Sequence, residues 1–278
     1  MSLTQQQILG INITINSKKE ILEYIQKYLD YSRKSKVESR KSRQKPLVIV
    51  TPNPEQVVYA RNDSHFAGLL NGADIAIPDG IGLVFALRVL KGKRKKEKGK
   101  SKTQKISGVE LMEDLVAMAD MEGFPIGLIG GRGGVALKAL ECLFRRMPGL
   151  AGWAEEPGEI SNTTNTTNIK YYQYCRSIIQ KIRTTKTRIV FVGLGAPKQE
   201  YLIEQVKSQK LKVKSPIIFM SVGGSFDEIS GRIPRPPALI DKLGIKWFWR
   251  LILEPWRFKR QSALLQFIWM VLRERFMQ

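Results

Sequence analysis

The chain has 278 residues, with 46 Lys and Arg against 25 Asp and Glu, so its formal net charge is +21. Hydrophobic residues make up 43%, which is enough to fill a core and excludes an intrinsically disordered chain. Two cysteines exclude a disulfide framework and indicate a reducing compartment. A single histidine argues against a His-ligated metal site.

The positive charge is concentrated in three segments that together hold +20 of the +21. Residues 31–45 contain seven basic side chains and one acidic one. Residues 91–105 contain nine basic and one acidic, and residues 235–278 contain nine basic and three acidic. Such segments attract nucleic acid, anionic lipid or phosphorylated ligands. The N-terminus lacks a signal-peptide pattern, and no apolar run reaches the roughly 18 residues that span a bilayer.

Short β-branched runs between turn residues predict strands, and longer periodic runs predict helices. The predicted strands are Leu47–Val50, Asp74–Ile77, Pro125–Ile129, Arg188–Val192 and Ile217–Val222, with Ile8–Ile15 as an edge candidate. The predicted helices are Lys18–Tyr31, Glu55–Leu70, Ile81–Val89, Val109–Met121, Gly134–Arg146, Tyr171–Ile182 and Gln199–Ser208. This alternation predicts an α/β fold: a Rossmann-like, mostly parallel sheet with helices on both faces.

Two segments interrupt the alternation, and a third changes its character. The basic run 91–105 and the polar run 157–168 are predicted loops. After the proline-rich GRIPRPP, Trp247, Trp249 and Trp256 lie within ten residues, among basic side chains. We therefore predict a Rossmann-like domain over residues 1–235 and a basic, aromatic-rich helical appendage over residues 236–278.

Ligands of open α/β sheets bind beyond the carboxyl ends of the strands, and all five predicted strand ends run into polar or glycine-rich loops. Asp79 lies in the Pro-Asp-Gly-x-Gly turn after the second of these strands, next to Gly80. It could act as a general base if burial raises its pKa. The alternative is an Asp that caps the following helix or closes the turn.

Four further loops offer ligand contacts. Thr51 and Asn53 could hydrogen-bond a sugar or a base, although Asn53-Pro54 equally resembles a helix start. Gly130 and Gly131 begin a glycine-rich turn that could admit a phosphate or simply connect strand and helix, since neither G-x-G-x-x-G nor a P-loop is present. The last loops hold the remaining candidates, which are Gly193, Gly195, Lys198, Gln199, Gly223 and Gly224.

The appendage supplies three arginines. If one helix continues through Pro255, spacings of seven and three place Arg250, Arg257 and Arg260 on one face. Guanidinium groups suit phosphate oxygens, whereas the alternatives are a solvated basic face or a surface that rests on anionic lipid. The sequence contains no Asp-x-Asp to hold a divalent ion, so cations or helix N-termini would have to stabilise a leaving diphosphate.

Six motifs, in order, resemble the WecG/TagA/CpsF glycosyltransferase family over about Ile8 to Arg260. They are TPNPEQVVYARND, ADIAIPDGIGLV, ISGVELM, VGLGAPKQE, SVGGSFDEISGRIPRPP and WFWRLILEPWRFKR. The resemblance implies an inverting, metal-independent hexosyltransferase that needs no cofactor. It would move an N-acetylmannosamine-like sugar from a UDP-sugar to a polyprenyl-diphosphate-linked acceptor, in cell-surface polysaccharide or teichoic acid synthesis.

The resemblance also implies roles for single residues. Asp79 falls on the proposed catalytic base, and Thr51 and Gln199 fall on positions that line the same pocket. Arg250, Arg257 and Arg260 fall on arginines that would face a diphosphate. The appendage would close over the active site and attach a cytoplasmic enzyme peripherally to the inner face of the membrane.

Two other functions remain open at this point. The net charge alone would suit a nucleic-acid-binding module, although no nucleic-acid motif is present and we expect none as partner. A dinucleotide-dependent enzyme could use the loop at 130–134, although it lacks the acidic residue expected about 20 residues on to hold a ribose, since residues 142–154 offer none before Glu155. The sequence leaves open a homo-oligomer, the sugar and the acceptor.

Overall fold

The computed structural model describes residues 2–34, 45–90, 105–158, 169–209, 215–237, 240, 246–255 and 258–277. The predicted loops at 91–105 and 157–168 fall almost entirely outside these residues, as do Trp256 and Arg257.

The helices and strands of the described residues follow each other in the predicted α/β alternation. In chain order they are β1 Gln5–Ile8, β2 Ile11–Thr14, α1 Lys18–Lys34, β3 Leu47–Val50, α2 Pro54–Ala60, α3 Ser64–Asn71, β4 Ile75–Ala76, α4 Ile81–Leu90, α5 Gly108–Glu122, β5 Ile126–Gly130, α6 Val135–Arg146, β6 Gly152–Glu155, α7 Ile169–Thr184, β7 Ile189–Gly193, α8 Lys198–Ser208, β8 Ile218–Ser221, α9 Ser225–Ile229, α10 Lys246–Leu253 and α11 Phe258–Phe276.

The chain divides into two compact units. The first unit contains Met1–Ile21, Thr51–Gly108 and Pro234–Gln278, and the second contains Leu22–Val50 and Val109–Ile233. The stretch predicted as the appendage therefore belongs to the same unit as the residues that follow β3. Whether residues 1–235 and 236–278 act as separate functional domains stays a prediction.

The second unit is built on a parallel sheet. Its strands lie in the order β3-β8-β7-β5-β6, and each neighbouring pair is parallel. Every residue of β3, β5, β7 and β8 is buried, as expected for a parallel sheet covered on both faces by helices. The fold class predicted from the sequence is thus confirmed: a mostly parallel α/β sheet flanked by helices.

Two glycines allow tight packing at β6, the edge strand of this sheet. A Cβ at Gly127 of β5 would lie 2.5 Å from Trp153 Cζ2, so the indole fits only because residue 127 has no side chain. A Cβ at Gly152 would lie 2.8 Å from the Ile126 carbonyl oxygen. The indole N–H of Trp153 donates to Thr187 Oγ1 at 2.8 Å, which satisfies its one polar group inside the core.

The first unit holds a hairpin, β4, and helices α2, α3, α4, α10 and α11. Strands β1 and β2 pair antiparallel, and the buried hydroxyl of Thr14 accepts a hydrogen bond from the Ala76 N–H of β4 at 3.0 Å. Asn71 at the end of α3 binds the hairpin with both ends of its amide. Its Oδ1 accepts from Asn12 N at 2.8 Å, and its Nδ2 donates to the Gly10 carbonyl at 2.9 Å.

Two predicted elements differ from the structure, and one strand is additional. The edge candidate Ile8–Ile15 is the second half of a hairpin, because Leu9 and Gly10 turn the chain with positive φ. The predicted helix Glu55–Leu70 is two helices, because Asp63 starts α3 by accepting from Phe66 N. Strand β6 was not predicted at all.

Candidate active site

The strand order of the second unit places a crevice at the carboxyl ends of β5 and β7. From β5 the chain passes through α6 to β6 on one side, and from β7 it passes through α8 to β8 on the other. Neighbouring strands whose connections leave in opposite directions form a topological switch point, where open α/β sheets bind their ligands. The loops that begin at Gly130 and Gly193 are those at this point.

Glycines bring the strand ends of this crevice close together. Gly130 and Gly193 are register partners at the ends of β5 and β7, and Gly131 N–H donates to the Gly193 carbonyl at 3.1 Å. A Cβ at Gly193 would lie 2.7 Å from Phe226 Cε2 and 2.9 Å from the Gly223 carbonyl oxygen. The backbones of four predicted site residues, Gly130, Gly131, Gly193 and Gly223, therefore meet where no side chain would fit at Gly193.

Gln199 joins two of these loops from inside the protein. Its side chain is fully buried in the first turn of α8, and its Oε1 accepts from the Gly223 N–H at 3.1 Å. Its Nε2 donates to Glu200 Oε1 at 2.8 Å. The structure thus brings Gln199 and Gly223 together, and a contact between Gln199 and a substrate stays a prediction.

Glu200 is a buried carboxylate that the sequence reasoning did not include among the site residues. It is 4% exposed, and burial raises its pKa to about 6, while hydrogen bonds from Gln199 and Ser221 lower it. In the sequence it reads as one charged residue in a polar Lys-Gln-Glu cluster that surface helices often carry. Only the burial of the first turn of α8 distinguishes it.

The other predicted residues of the second unit lie on the same loops. Gly195 has φ +75° between β7 and α8, and the half-buried Lys198 is the first residue of α8. Gly224 precedes α9, where it occupies the N-cap position. These placements keep all of them at the carboxyl ends of β7 and β8.

In the first unit, the loops after β3 and β4 are joined by a backbone hydrogen bond. The Asp79 N–H donates to the Pro52 carbonyl at 3.0 Å, which links the Asp79 turn to the turn of Thr51 and Asn53. Helix α4 begins at Ile81, so Gly80, with φ +93°, separates the half-buried Asp79 from the helix. The structure therefore brings Thr51, Asn53 and Asp79 into one place.

Asn53 and Thr51 differ in their surroundings. Asn53 is the N-cap of α2: its Oδ1 accepts from Gln56 N at 2.9 Å, which confirms the helix start read from Asn53-Pro54. Thr51 is 7% exposed, and a Cβ at Gly108 would lie 3.3 Å from its Cγ2. Thr51 thus packs against the start of the ISGVELM motif, a contact that the sequence did not predict.

The last helix of the chain packs against the helices that start from these two turns. Helix α11 contacts both α2 and α4. At their N-termini, a Cβ at Gly82 would lie 2.8 Å from Pro54 Cγ and 3.8 Å from Leu264 Cδ1. Phe267 and Val271 of α11 are buried. The C-terminal helix thus lies beside the first turn of α4, two residues after Gly80.

The three predicted arginines do not share one continuous helix. Arg250 lies on α10, which ends at Leu253, whereas Arg260 lies on α11, so the expectation of a single helical face is wrong. Pro255 follows the break and cannot donate the helical hydrogen bond that a continuous helix would need. Arg257 lies outside the described residues, and only the helical position of Arg260 is described.

Arg250 is mostly buried and lies beside the acidic residue that follows its helix. Its Nε lies 3.6 Å from Glu254 Oε2, one turn along α10, and both side chains are mostly buried. Its buried Nε and Nη2 make no hydrogen bond to the residues that the structure describes. A guanidinium held in this way can bind phosphate or carboxylate oxygens with both nitrogens.

The described residue ranges contain neither a clustered set of metal ligands nor a membrane-spanning helix. No group of three or more His, Cys, Asp or Glu side chains within them is placed to hold a metal ion. Among the helices described, none is both long enough and apolar enough to cross a bilayer.

A comparison with known protein families finds one that the chain matches. A family model described as the Glycosyl transferase WecG/TagA/CpsF family matches residues 6–278. The match covers nearly the whole chain and therefore includes every candidate residue discussed above. The chain accordingly belongs to the WecG/TagA/CpsF family of glycosyltransferases.

Proposed function

We propose that the protein is an inverting, metal-independent glycosyltransferase. It moves an N-acetylmannosamine-like sugar from a UDP-sugar to a polyprenyl-diphosphate-linked saccharide. Asp79 removes the proton of an acceptor hydroxyl, that oxygen attacks the anomeric carbon, and UDP leaves from the opposite face. Membership in a glycosyltransferase family supports the reaction class.

One observation carries the assignment of Asp79: its turn is bonded to the turn of Thr51 and Asn53. The hydrogen bond from Asp79 N to the Pro52 carbonyl holds the Asp79 backbone against the neighbouring loop that carries Thr51 and Asn53. A base must be held where the acceptor hydroxyl arrives, because misplacement by an ångström costs much of the rate. The half-buried side chain remains within reach of a substrate.

The change Asp79→Asn tests this role. A general base contributes about 10²–10⁴-fold, so we expect kcat to fall by that factor while UDP binding, measured by calorimetry, stays as in the wild type. The matched control is Asp63→Asn at the N-cap of α3, where Asn caps as well as Asp and turnover should not change. Wild-type turnover by the Asp79 variant would remove the base from the proposal.

Inversion is tested on the product rather than on the protein. The anomeric coupling in the NMR spectrum of the new disaccharide, compared with that of the donor, gives the stereochemical outcome. Retention of configuration would contradict direct attack on the donor and would require a covalent intermediate.

Cationic groups supply the charge that a metal would otherwise bring. We assign Arg250 to a diphosphate because its buried Nε and Nη2 keep donor capacity beside Glu254. The same role for Arg257 and Arg260 follows from the family motif alone. In the second unit, Gly130, Gly193 and Gly223 lie at the strand ends of the switch point, where open α/β sheets bind their ligands, and we assign the donor diphosphate to these loops.

We further propose that the C-terminal helices attach the enzyme to an anionic membrane surface. On α11, Leu265 and Trp269 are 72% and 59% exposed, and Arg273 lies 5.4 Å from the Trp269 ring. On α10, Trp247 and Phe248 are also exposed. Aromatic and aliphatic groups next to basic ones are typical of helices that lie in a membrane interface.

Deletion of residues 236–278 should weaken membrane binding and activity, but substitution of exposed residues is the sharper test. The double change Leu265→Ser and Trp269→Ser leaves the buried Phe267 in place. We expect this variant to lose flotation with phosphatidylglycerol-containing liposomes. The control is the double change Leu137→Ser and Ile169→Ser, at exposed apolar residues of the second unit. Equal loss in both variants would contradict a membrane-binding role specific to α11.

A further inference from the structure

Glu200 is a buried carboxylate that no step of the proposed reaction uses. It lies in the first turn of α8, directly after Gln199 and near the carboxyl end of β7. Carboxylates are rarely buried without a partner, because burial removes their hydration. Glu200 Oε1 accepts a hydrogen bond from the Gln199 amide at 2.8 Å.

The partners of Gln199 leave its amide only one favourable orientation. Its oxygen faces a donor, the Gly223 N–H at 3.1 Å, and its nitrogen faces an acceptor, Glu200 Oε1 at 2.8 Å. Rotation of the amide by half a turn would set two donors against each other at Gly223 and two acceptors at Glu200. Without the Glu200 acceptor, only the single bond to Gly223 would oppose this rotation.

The orientation of this amide determines how the loop after β8 is held. Gly223 has φ +53°, and its carbonyl oxygen lies so close to Gly193 that a Cβ there would be 2.9 Å away. The Gln199–Gly223 hydrogen bond thus ties the turn at Gly223 and Gly224, which lies against the end of β7, to the first turn of α8. Loss of the bond would free a backbone N–H at the glycine-lined strand ends.

We propose that Glu200 is a positioning residue, which orients the Gln199 amide and through it holds the turn at Gly223 and Gly224 in place. The proposal rests on the proposed function in one respect: the turn is among the glycine backbones that we assign to the sugar-nucleotide donor. Its structural part concerns only the contact between Glu200, Gln199 and Gly223.

The first experiment measures hydrogen exchange of the Gly223 amide by ¹⁵N NMR, relative to the Phe191 amide in the middle of β7. In Glu200→Ala we expect exchange at Gly223 to accelerate about tenfold, which corresponds to the loss of one hydrogen bond. Glu200→Gln keeps an acceptor oxygen, so the exchange rate of its Gly223 amide should stay within about twofold of the wild-type rate. Leu202→Ala, a cavity at a buried residue of the same helix, serves as the control for general destabilisation.

The second experiment measures donor kinetics with UDP-N-acetylmannosamine. We expect Glu200→Ala to raise the donor KM about tenfold with a much smaller change in kcat, because the change affects donor positioning and not Asp79. Glu200→Gln should restore the wild-type KM, and Leu202→Ala should leave it unchanged.

The two readouts separate the two proposals. If the Gly223 amide in Glu200→Ala exchanges no faster than in the wild type, or only as fast as in the control Leu202→Ala, the positioning role is overturned. This holds whatever the kinetic experiment shows. If the exchange changes as expected but the donor KM does not, the turn is positioned but does not contact the donor, and the functional part is overturned. A wild-type protein that transfers no sugar from UDP-N-acetylmannosamine would contradict the proposed donor, while the exchange data would still decide the role of Glu200.

Discussion

Replacement of Glu200 by Gln should make the protein more stable at neutral pH. Burial raises the pKa of the Glu200 carboxyl from its ordinary value of 4.5 to about 6. At about 1.4 kcal/mol per pKa unit, this rise means that ionisation costs the folded state about 2 kcal/mol. The change Glu200→Gln removes the ionisable group but keeps an acceptor for Gln199 and a donor or acceptor for Ser221.

The pH dependence of this effect has a definite sign. Between pH 4.5 and 6 the folded protein holds the Glu200 proton more tightly than the unfolded chain, so the wild-type free energy of unfolding falls as pH rises. The stabilisation that the folded protein gains by binding this proton more tightly is fully present below pH 4.5 and is lost above pH 6. The variant lacks this slope, so its stability relative to the wild type should rise by about 2 kcal/mol across the same interval.

Urea unfolding at several pH values from 4 to 8 measures the difference directly. All other carboxyl groups titrate alike in both proteins, so subtraction of the two curves isolates Glu200. The expected difference is small at pH 4 and reaches its plateau above pH 6. A difference that does not change with pH would refute the argument, since it would mean that the carboxyl titrates alike in the folded and unfolded states. A difference that falls with pH would mean that the folded state favours the ionised form.

Three further outcomes follow from the contacts described. Asn53→Ala should lower the free energy of unfolding by about 1 kcal/mol because the cap on Gln56 is lost, whereas Asn53→Asp should keep the wild-type stability. Equal stability of the two variants would contradict the capping role. Gly193→Ala should cost about 1–3 kcal/mol in a thermal or urea melt, since its methyl group would meet Phe226 and Gly223; unchanged stability would mean that the strand ends can move apart. EDTA should leave the transfer rate unchanged, and strong inhibition would reveal a required metal.

The order of strands and helices was predictable because this sheet is buried on both faces. Strands such as Ile218–Ser221 are continuous apolar runs between turn residues, so the sequence marks both ends to within a residue or two. Strand Gly152–Glu155 has no such run, since only Trp153 is buried. It forms because Gly127 gives the indole space on the neighbouring strand, and a contact between residues so far apart is not visible in a local pattern.

Helix ends were predicted less well where polar residues compete with periodicity. The apolar spacing of residues 55–70 suits one helix, yet Asp63 caps a second one and the chain turns at Arg61. Between Leu253 and Phe258, Pro255 has no N–H with which to continue α10. Arg250 and Arg260 therefore lie on different helices.

The candidate site was predictable as a set of loops but not as a set of contacts. The strand-end positions of Asp79 and Gly193 follow from the sequence, because each comes directly after an apolar run, and Gln199 begins the helix that follows the second of these loops. The burial of Glu200 and the hydrogen bond from the Gly223 N–H to Gln199 depend on how α8 packs against β7 and β8, which no local pattern encodes.

The position of Trp153 makes the unfolding of the second unit visible to fluorescence. By sequence range, it is the only one of the five tryptophans in that unit, and the other four belong to the first. It is 8% exposed in an apolar core, so its emission should be blue-shifted and shielded from acrylamide, which reaches the exposed Trp247 and Trp269. Quencher-resolved emission can therefore follow the two units separately, and Trp153→Phe would remove the signal of the second without touching the first.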